Sequence, residues 1–185
     1  MSNEKPRVAE PVVLVLMGVS GSGKSRLAGL LAGRLGWDLE EGDDLHPPEN
    51  IAKMASGQPL TDADRWPWLA RVGEWISQHT EASQCGLITC SALKRIYRDL
   101  LRDERVVFVH LAASRELIAN RLAVRQGHFM PAVLLDSQFA TLEPPGPDEL
   151  AVTIDVSRSL AAEADQLVSQ LGLQPRGATN LDALR

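Results

Sequence analysis

The chain has 185 residues, 44% apolar and 23% charged, with a formal net charge of −5. That length suits one domain burying roughly two-thirds of its unfolded surface. The acidic balance argues against a general basic face for nucleic acid and leaves room for a local cationic pocket. No stretch approaches a membrane-spanning run, and the polar opening MSNEKPRVAEP has no charged-then-apolar leader, so no membrane association or secretion is expected and the location is cytoplasmic by default.

In chain order, residues 12–17 (VVLVLM) form a continuous apolar run, which predicts a strand buried on both faces of a parallel sheet. A helix is expected from Lys24 to Leu35, with Leu27, Leu30, Leu31 and Leu35 on one stripe. WDLEE (37–41) predicts a short second strand broken by Gly42. Pro47 and Pro48 then open a helix carrying Ile51, Met54 and Ala55 that stops at Gly57. A longer helix is expected from Asp62 to about Glu81, with Leu69, Val72, Gly73 and Ile76 facing one way; Trp66, Trp68 and Trp75 read as core packing rather than sugar stacking. CGLITC (85–90) predicts a third strand and Lys94 to Asp103 a helix. RVVFVHLA (105–112) predicts a fourth strand, followed by a helix from Ser114 to Arg125 capped by its serine. Beyond a bend at 126–128 come a helix over about 131–141, the loop EPPGPDE, a fifth strand AVTIDV (151–156) and a closing helix striped by Leu160, Leu167, Val168 and Leu171.

Strands alternating with helices predict one α/β domain, a parallel sheet covered on both faces. Its extent is read as 11–172, with residues 1–10 disordered and 173–185 a loose tail. Cys85 and Cys90 lie five apart with no nearby Cys or His partner, and read as reduced thiols in or beside a core strand.

Residues 18–25, GVSGSGKS, fit G-x-x-x-x-G-K-S/T, with the predicted strand before and helix after that this motif requires. Gly18, Gly21 and Gly23 permit backbone angles and close approach that a Cβ would block. The N–H groups of Val19, Ser20 and Ser22 and the following helix N-terminus then point positive charge at phosphates. Lys24 would bridge the β- and γ-phosphates of ATP, and the Ser25 hydroxyl would ligate Mg²⁺. Neither a D-x-x-G switch nor an N-K-x-D base reader occurs, which argues against a GTPase. The third strand ends in Cys90 and Ser91 rather than an aspartate, so the metal needs another carboxylate. Glu41, Asp43 and Asp44, just past the second strand, are the nearest; one could order metal-bound water and one could accept a proton from an attacking hydroxyl. An acidic surface turn is the plainer alternative. Arg121 and Arg125, four apart before a glycine bend, could stack on adenine and neutralise phosphate charge, with the segment at about 125–133 closing as a lid against water.

Three later blocks are more specific. GDDLHPPENIAKMASGQPLTDADRWPWL (42–69), CSALKRIYRDLLR (90–102) and RQGHFMPAVLLDSQFATLEPP (125–145) resemble the bacterial gluconokinase family of P-loop carbohydrate kinases, of the thermoresistant type, over roughly residues 11–171. The resemblance implies an adenylate-kinase-like fold with a lid, phosphorylation of D-gluconate at its 6-hydroxyl with ATP and Mg²⁺, and a homodimer. Gluconate carries one carboxylate and several hydroxyls, so its pocket needs cations and polar groups. Lys53, Arg65, Lys94 and Arg98 could supply the charge, Lys94 and Arg98 by sharing a helix face. His46, Ser91, His128 and Gln138 could bond the hydroxyls, while His79 and His110 read as structural. Related kinases place Asp-x-Asp after the second strand. Here Glu41-Gly42-Asp43 stands there, so Asp43 is the candidate base with Asp44 beside it, and Glu41 would reach Mg²⁺ through water. Two alternatives stay open: a shikimate or nucleotide kinase relative, although the Gly-Gly run of the former is replaced by Ser91-Ala92-Leu93, and a non-catalytic ATP-binding module.

Overall fold

A computed structural model describes residues 12–124 and 132–176. Five strands, β1 (Val13–Met17), β2 (Asp38–Glu41), β3 (Gly86–Thr89), β4 (Val106–Ala112) and β5 (Ala151–Asp155), alternate with α1 (Lys24–Leu35), α2 (Pro48–Ala55), α3 (Asp62–Glu81), α4 (Arg95–Leu101), α5 (Arg115–Val124), α6 (Ala132–Thr141) and α7 (Leu160–Leu171). Every strand pairing is parallel and the order is β2-β3-β1-β4-β5, so the chain switches direction at β1. Ligands bind at such a switch point, beyond the carboxyl ends of the strands.

β1 is apolar without interruption because both its faces are covered. Val12, Leu14 and Leu16 pack with Leu27, Leu31 and Leu35 of α1 and Leu167 and Leu171 of α7. Val13, Val15 and Met17 pack with Trp68, Leu69, Val72 and Ile76 of α3 and Tyr97 and Leu101 of α4. A third, smaller cluster joins Val19 of the glycine-rich loop to Leu93, Ile118 and Leu135. The helix ends follow local chemistry: α1 and α7 stop on left-handed Gly36 and Gly172. Thr61 and Asp64 form a reciprocal capping box at the start of α3, and the Ser114 hydroxyl accepts from Leu117 N–H.

The tryptophans divide. Trp68 is buried and Trp75 packs on the same cluster, whereas Trp66 is 37% exposed and lies edge-on to Tyr97 at 5.7 Å. Core packing therefore does not account for Trp66. Burial pushes the Cys90 thiol up to about 12, leaving it inert. Among the described residues no helix is long and apolar enough to cross a membrane.

Candidate active site

The glycine-rich loop leaves the buried end of β1 and turns into α1. A Cβ on Gly18 would lie 2.9 Å from the Leu111 carbonyl oxygen at φ +137, so only glycine fits, and its N–H donates to Ser91 O at 3.2 Å. The Lys24 ammonium folds back on the Gly18 and Val19 carbonyls, each at 3.1 Å. Burial pushes its pKa down, opposed by Asp43, Cys90 and Glu41. Arg121 lies behind the loop, donating to Ser22 O at 3.3 Å and to Val156 O.

Beside the loop three oxygen-bearing side chains converge. Ser25 Oγ donates to Glu41 Oε2 at 2.9 Å, and Thr89 Oγ1 donates to the same oxygen at 2.7 Å. The strand register explains the meeting: Glu41 at the end of β2 pairs with Thr89 at the end of β3. Thr89 Oγ1 also accepts from Gly42 N–H at 3.1 Å, and Gly42 O accepts from Trp68 Nε1 at 2.7 Å. Gly42 is thus held from both sides; a Cβ there would fall 1.9 Å from Thr89 O. One carboxylate flanked by two hydroxyls, all hard oxygen donors, suits Mg²⁺, which keeps waters and phosphate oxygens for its remaining positions. No group of three or more His, Cys, Asp or Glu able to hold a metal occurs among the described residues.

Past Gly42 the chain makes one 3-10 turn, Gly42–Leu45, that presents Asp43 and Asp44. The Asp43 charge raises the pKa of Lys24, Cys90 and His46 alike. His46 is buried and stacked on Trp68 at 4.2 Å. Its Nδ1 faces the Asn50 amide nitrogen at 3.3 Å; an amide N–H₂ only donates, which assigns the imidazole proton to Nε2. Burial lowers its pKa, with Asp43 and Arg65 acting in opposite senses.

Opposite stands a compact ionic group. Both Asp62 oxygens accept from Lys94 Nζ, at 2.9 and 2.8 Å, and one also accepts from the Tyr97 hydroxyl. Arg65 donates to Tyr97 Oη at 3.3 Å, and the Arg65 and Lys94 cations stand 5.6 and 5.7 Å from the Tyr97 ring centroid. Two cations against one carboxylate leave the group net positive. Lys53 is engaged nearby with Asp64 at 2.6 Å.

A glycine-rich phosphate loop, a carboxylate with two hydroxyls that suits Mg²⁺ and a net-positive Arg65–Lys94 group are the parts a small-molecule kinase needs. No protein-family model matches the chain. It is 50% identical over 161 residues to the gluconokinase of Gluconobacter oxydans, covering 86% of this chain and 90% of that one. The thermoresistant gluconokinase of Escherichia coli is 45% identical over 151 residues, 80% of this chain and 86% of that one. A gluconokinase structure from Sinorhizobium meliloti superposes with a TM-score of 0.80 at 46% identity, covering 88% of this chain and 92% of that one.

The chain belongs to the gluconokinase family.

Within this gluconokinase site several expected residues stand elsewhere. Arg98 does not join Lys94. Its side chain is 1% exposed and all its donors face inward: Nε and one terminal nitrogen to Glu149 at 2.5 and 3.0 Å, the other to the carbonyls of Ala92, Leu93 and Glu143. The shared helix face fails because Lys94 is the extended N-cap of α4, at φ −94 and ψ 149, outside the helical spacing. Gln138, expected among hydroxyl-binding groups, meets the phosphate loop at Ser20 instead. Ser91 contributes the carbonyl that receives Gly18. Arg125, His128 and most of the segment expected as a lid fall outside the described residues. Thr89, Asp62 and Tyr97 join these polar groups unforeseen. Of these only Asp62 carried a signal, as an acid at a helix start beside Arg65.

Proposed function

We propose that the protein transfers the γ-phosphoryl group of ATP to the 6-hydroxyl of D-gluconate in the cytoplasm, giving 6-phosphogluconate and ADP. The observation that carries this reading is the convergence of Ser25 and Thr89 on the Glu41 carboxylate beside the phosphate loop, with Asp43 in the turn that starts at Gly42.

The glycine-loop N–H groups beyond Gly18 and the N-terminus of α1 hold the phosphate chain, and Lys24 leaves its two carbonyls to bridge the β- and γ-phosphates. Ser25 and Glu41, the latter through water, would hold Mg²⁺, with Thr89 steadying the carboxylate. The metal would supply charge neutralisation on the phosphates. Arg65 and Lys94 draw in the gluconate carboxylate, while His46 Nε2–H and Asp44 serve its hydroxyls. Asp43 accepts the proton of the 6-hydroxyl as that oxygen bonds to the γ-phosphorus; the bond to the β-phosphate oxygen breaks, ADP leaves, and the proton passes on to solvent. Arg121 and Arg125 are assigned to the nucleotide, His128 and Lys53 to the acceptor side. The homodimer implied by the sequence resemblance is read directly by sedimentation, as twice 20.1 kDa.

Incubation with Mg-ATP and separate acceptors tests the reading. Gluconate-dependent ADP release with 6-phosphogluconate as product is the expected result. Turnover on shikimate or a nucleoside monophosphate without turnover on gluconate would overturn it, and nucleotide binding without any transfer would favour a regulatory module.

A further inference from the structure

Gln138 on α6 is the one side chain from beyond residue 125 that bonds a phosphate-loop N–H among the described residues. Ser20 N–H donates to its Oε1 at 2.6 Å, across 118 positions of chain. A backbone N–H can only donate, so the amide oxygen must face the loop, and the two N–H bonds of Nε2 are left over. Neither has a partner among the described residues. The contact does not depend on this bond alone. Leu135, one helical turn earlier on α6, is buried against Val19 and Ile118, with Phe139 and Leu142 packed on the same cluster. The helix is therefore docked on the loop by apolar contact, with Gln138 brought to Ser20 as a consequence.

On the phosphate assignment proposed above, Ser20 falls at the terminal-phosphate end of the loop. Residues 21–24 lead into the N-terminus of α1, and Lys24, assigned there to the β- and γ-phosphates, is parked against the Gly18 and Val19 carbonyls next to Ser20. An acceptor oxygen 2.6 Å from Ser20 N–H thus stands where an oxygen of the γ-phosphate would be received.

We propose that Gln138 reads the γ-phosphate. Without nucleotide its amide oxygen substitutes for a phosphate oxygen on Ser20 N–H. With ATP in place the amide turns over, and Nε2–H and Ser20 N–H donate together to one γ-phosphate oxygen. ADP offers no such oxygen, so the residue separates ATP from ADP and steadies the group in transfer. The proposal rests on the ATP-dependent kinase reading above.

Gln138→Glu distinguishes this role from mere support of the loop. A carboxylate accepts from Ser20 N–H as well as an amide does, but it has no hydrogen to give and repels phosphate. The unliganded Gln138→Glu variant is expected to melt at or above the wild-type temperature. Its affinity for Mg-ATP should fall by about tenfold or more relative to its affinity for Mg-ADP, since a hydrogen bond to a charged group is lost. kcat for gluconate phosphorylation should fall with it. Gln138→Met, similar in shape and without donors, should show the same ATP-selective loss with no added charge. An ATP-to-ADP affinity ratio unchanged in both variants would overturn the proposal. If wild-type protein phosphorylated no gluconate, the acceptor assignment would fall while the affinity ratio still decided the role of Gln138.

Discussion

Glu41 carries two hydroxyl bonds on one carboxylate oxygen, from Ser25 and Thr89, and on that convergence rests the proposed Mg²⁺ site. Replacing Thr89 with Val removes one of them while keeping the β-branched shape. The Mg²⁺ concentration for half-maximal activity should rise about tenfold, read by titrating the metal at saturating ATP. Asp43 and Asp44 separate by the same kind of test. Asp43→Asn should lower kcat by roughly 10²–10⁴-fold, whereas Asp44→Asn should act mainly on the KM for gluconate; equal loss of kcat in both would remove Asp43 from its assigned role. Lys24→Ala should reduce transfer by roughly 10²–10³-fold or more with the circular-dichroism spectrum unchanged. The loop residues are legible in the sequence because glycines, lysine and serine at fixed spacing have one common use. Thr89 is not: a hydroxyl at a strand end has no spacing signature, and only its register with Glu41 gives it a role.

At the scale of elements, the ionic clamp between α4 and the approach to β5 matters most. Arg98 and Glu149, 1% and 5% exposed, are paired through two nitrogens and two oxygens, and three carbonyls take the remaining Arg98 bonds. Removing one partner strands a buried charge. Arg98→Met should therefore cost ~3–5 kcal/mol in urea unfolding, and Arg98→Met with Glu149→Met should recover much of it. The KM for gluconate in the single variant, measured well below its melting temperature, should stay near the wild-type value. Helical spacing suggests Lys94 and Arg98 as neighbours on one face; a one-residue shift of the helix start, with Lys94 extended as its cap, sends one to Asp62 and the other into the core. Boundaries of this kind depend on which side chains find partners across the fold, and α4 is only seven residues long.

Across the whole molecule the buried histidines contribute to the loss of stability just below neutral pH. His110, on β4, is 5% exposed with both ring nitrogens lacking a partner among the described residues. Burial lowers its pKa from the ordinary 6.5, with Arg98 adding to the effect. Burial likewise lowers that of His46, where Asp43 opposes and Arg65 adds. The unfolded chain therefore binds more protons than the folded one below pH 6.5. Their contribution is complete above that value and is lost as pH falls through it toward the folded pKa values. Thermal midpoints between pH 7.5 and 5 should decline on the acid side, and His110→Leu should flatten that decline; an unaltered slope would show that His110 does not drive it.

The α/β alternation and the phosphate-loop motif are written in the order of residues, because apolar periodicity and short-range spacing are local properties. Among the described residues the five strands and seven helices stand where that pattern places them, within a residue or two. Which polar groups meet is a matter of the folded chain. The order β2-β3-β1-β4-β5 sets Glu41 beside Thr89, and the packing of Leu135 on Val19 delivers Gln138 to Ser20. Those meetings join residues far apart in the chain, and their geometry is set by strand register and helix docking, which no local pattern encodes.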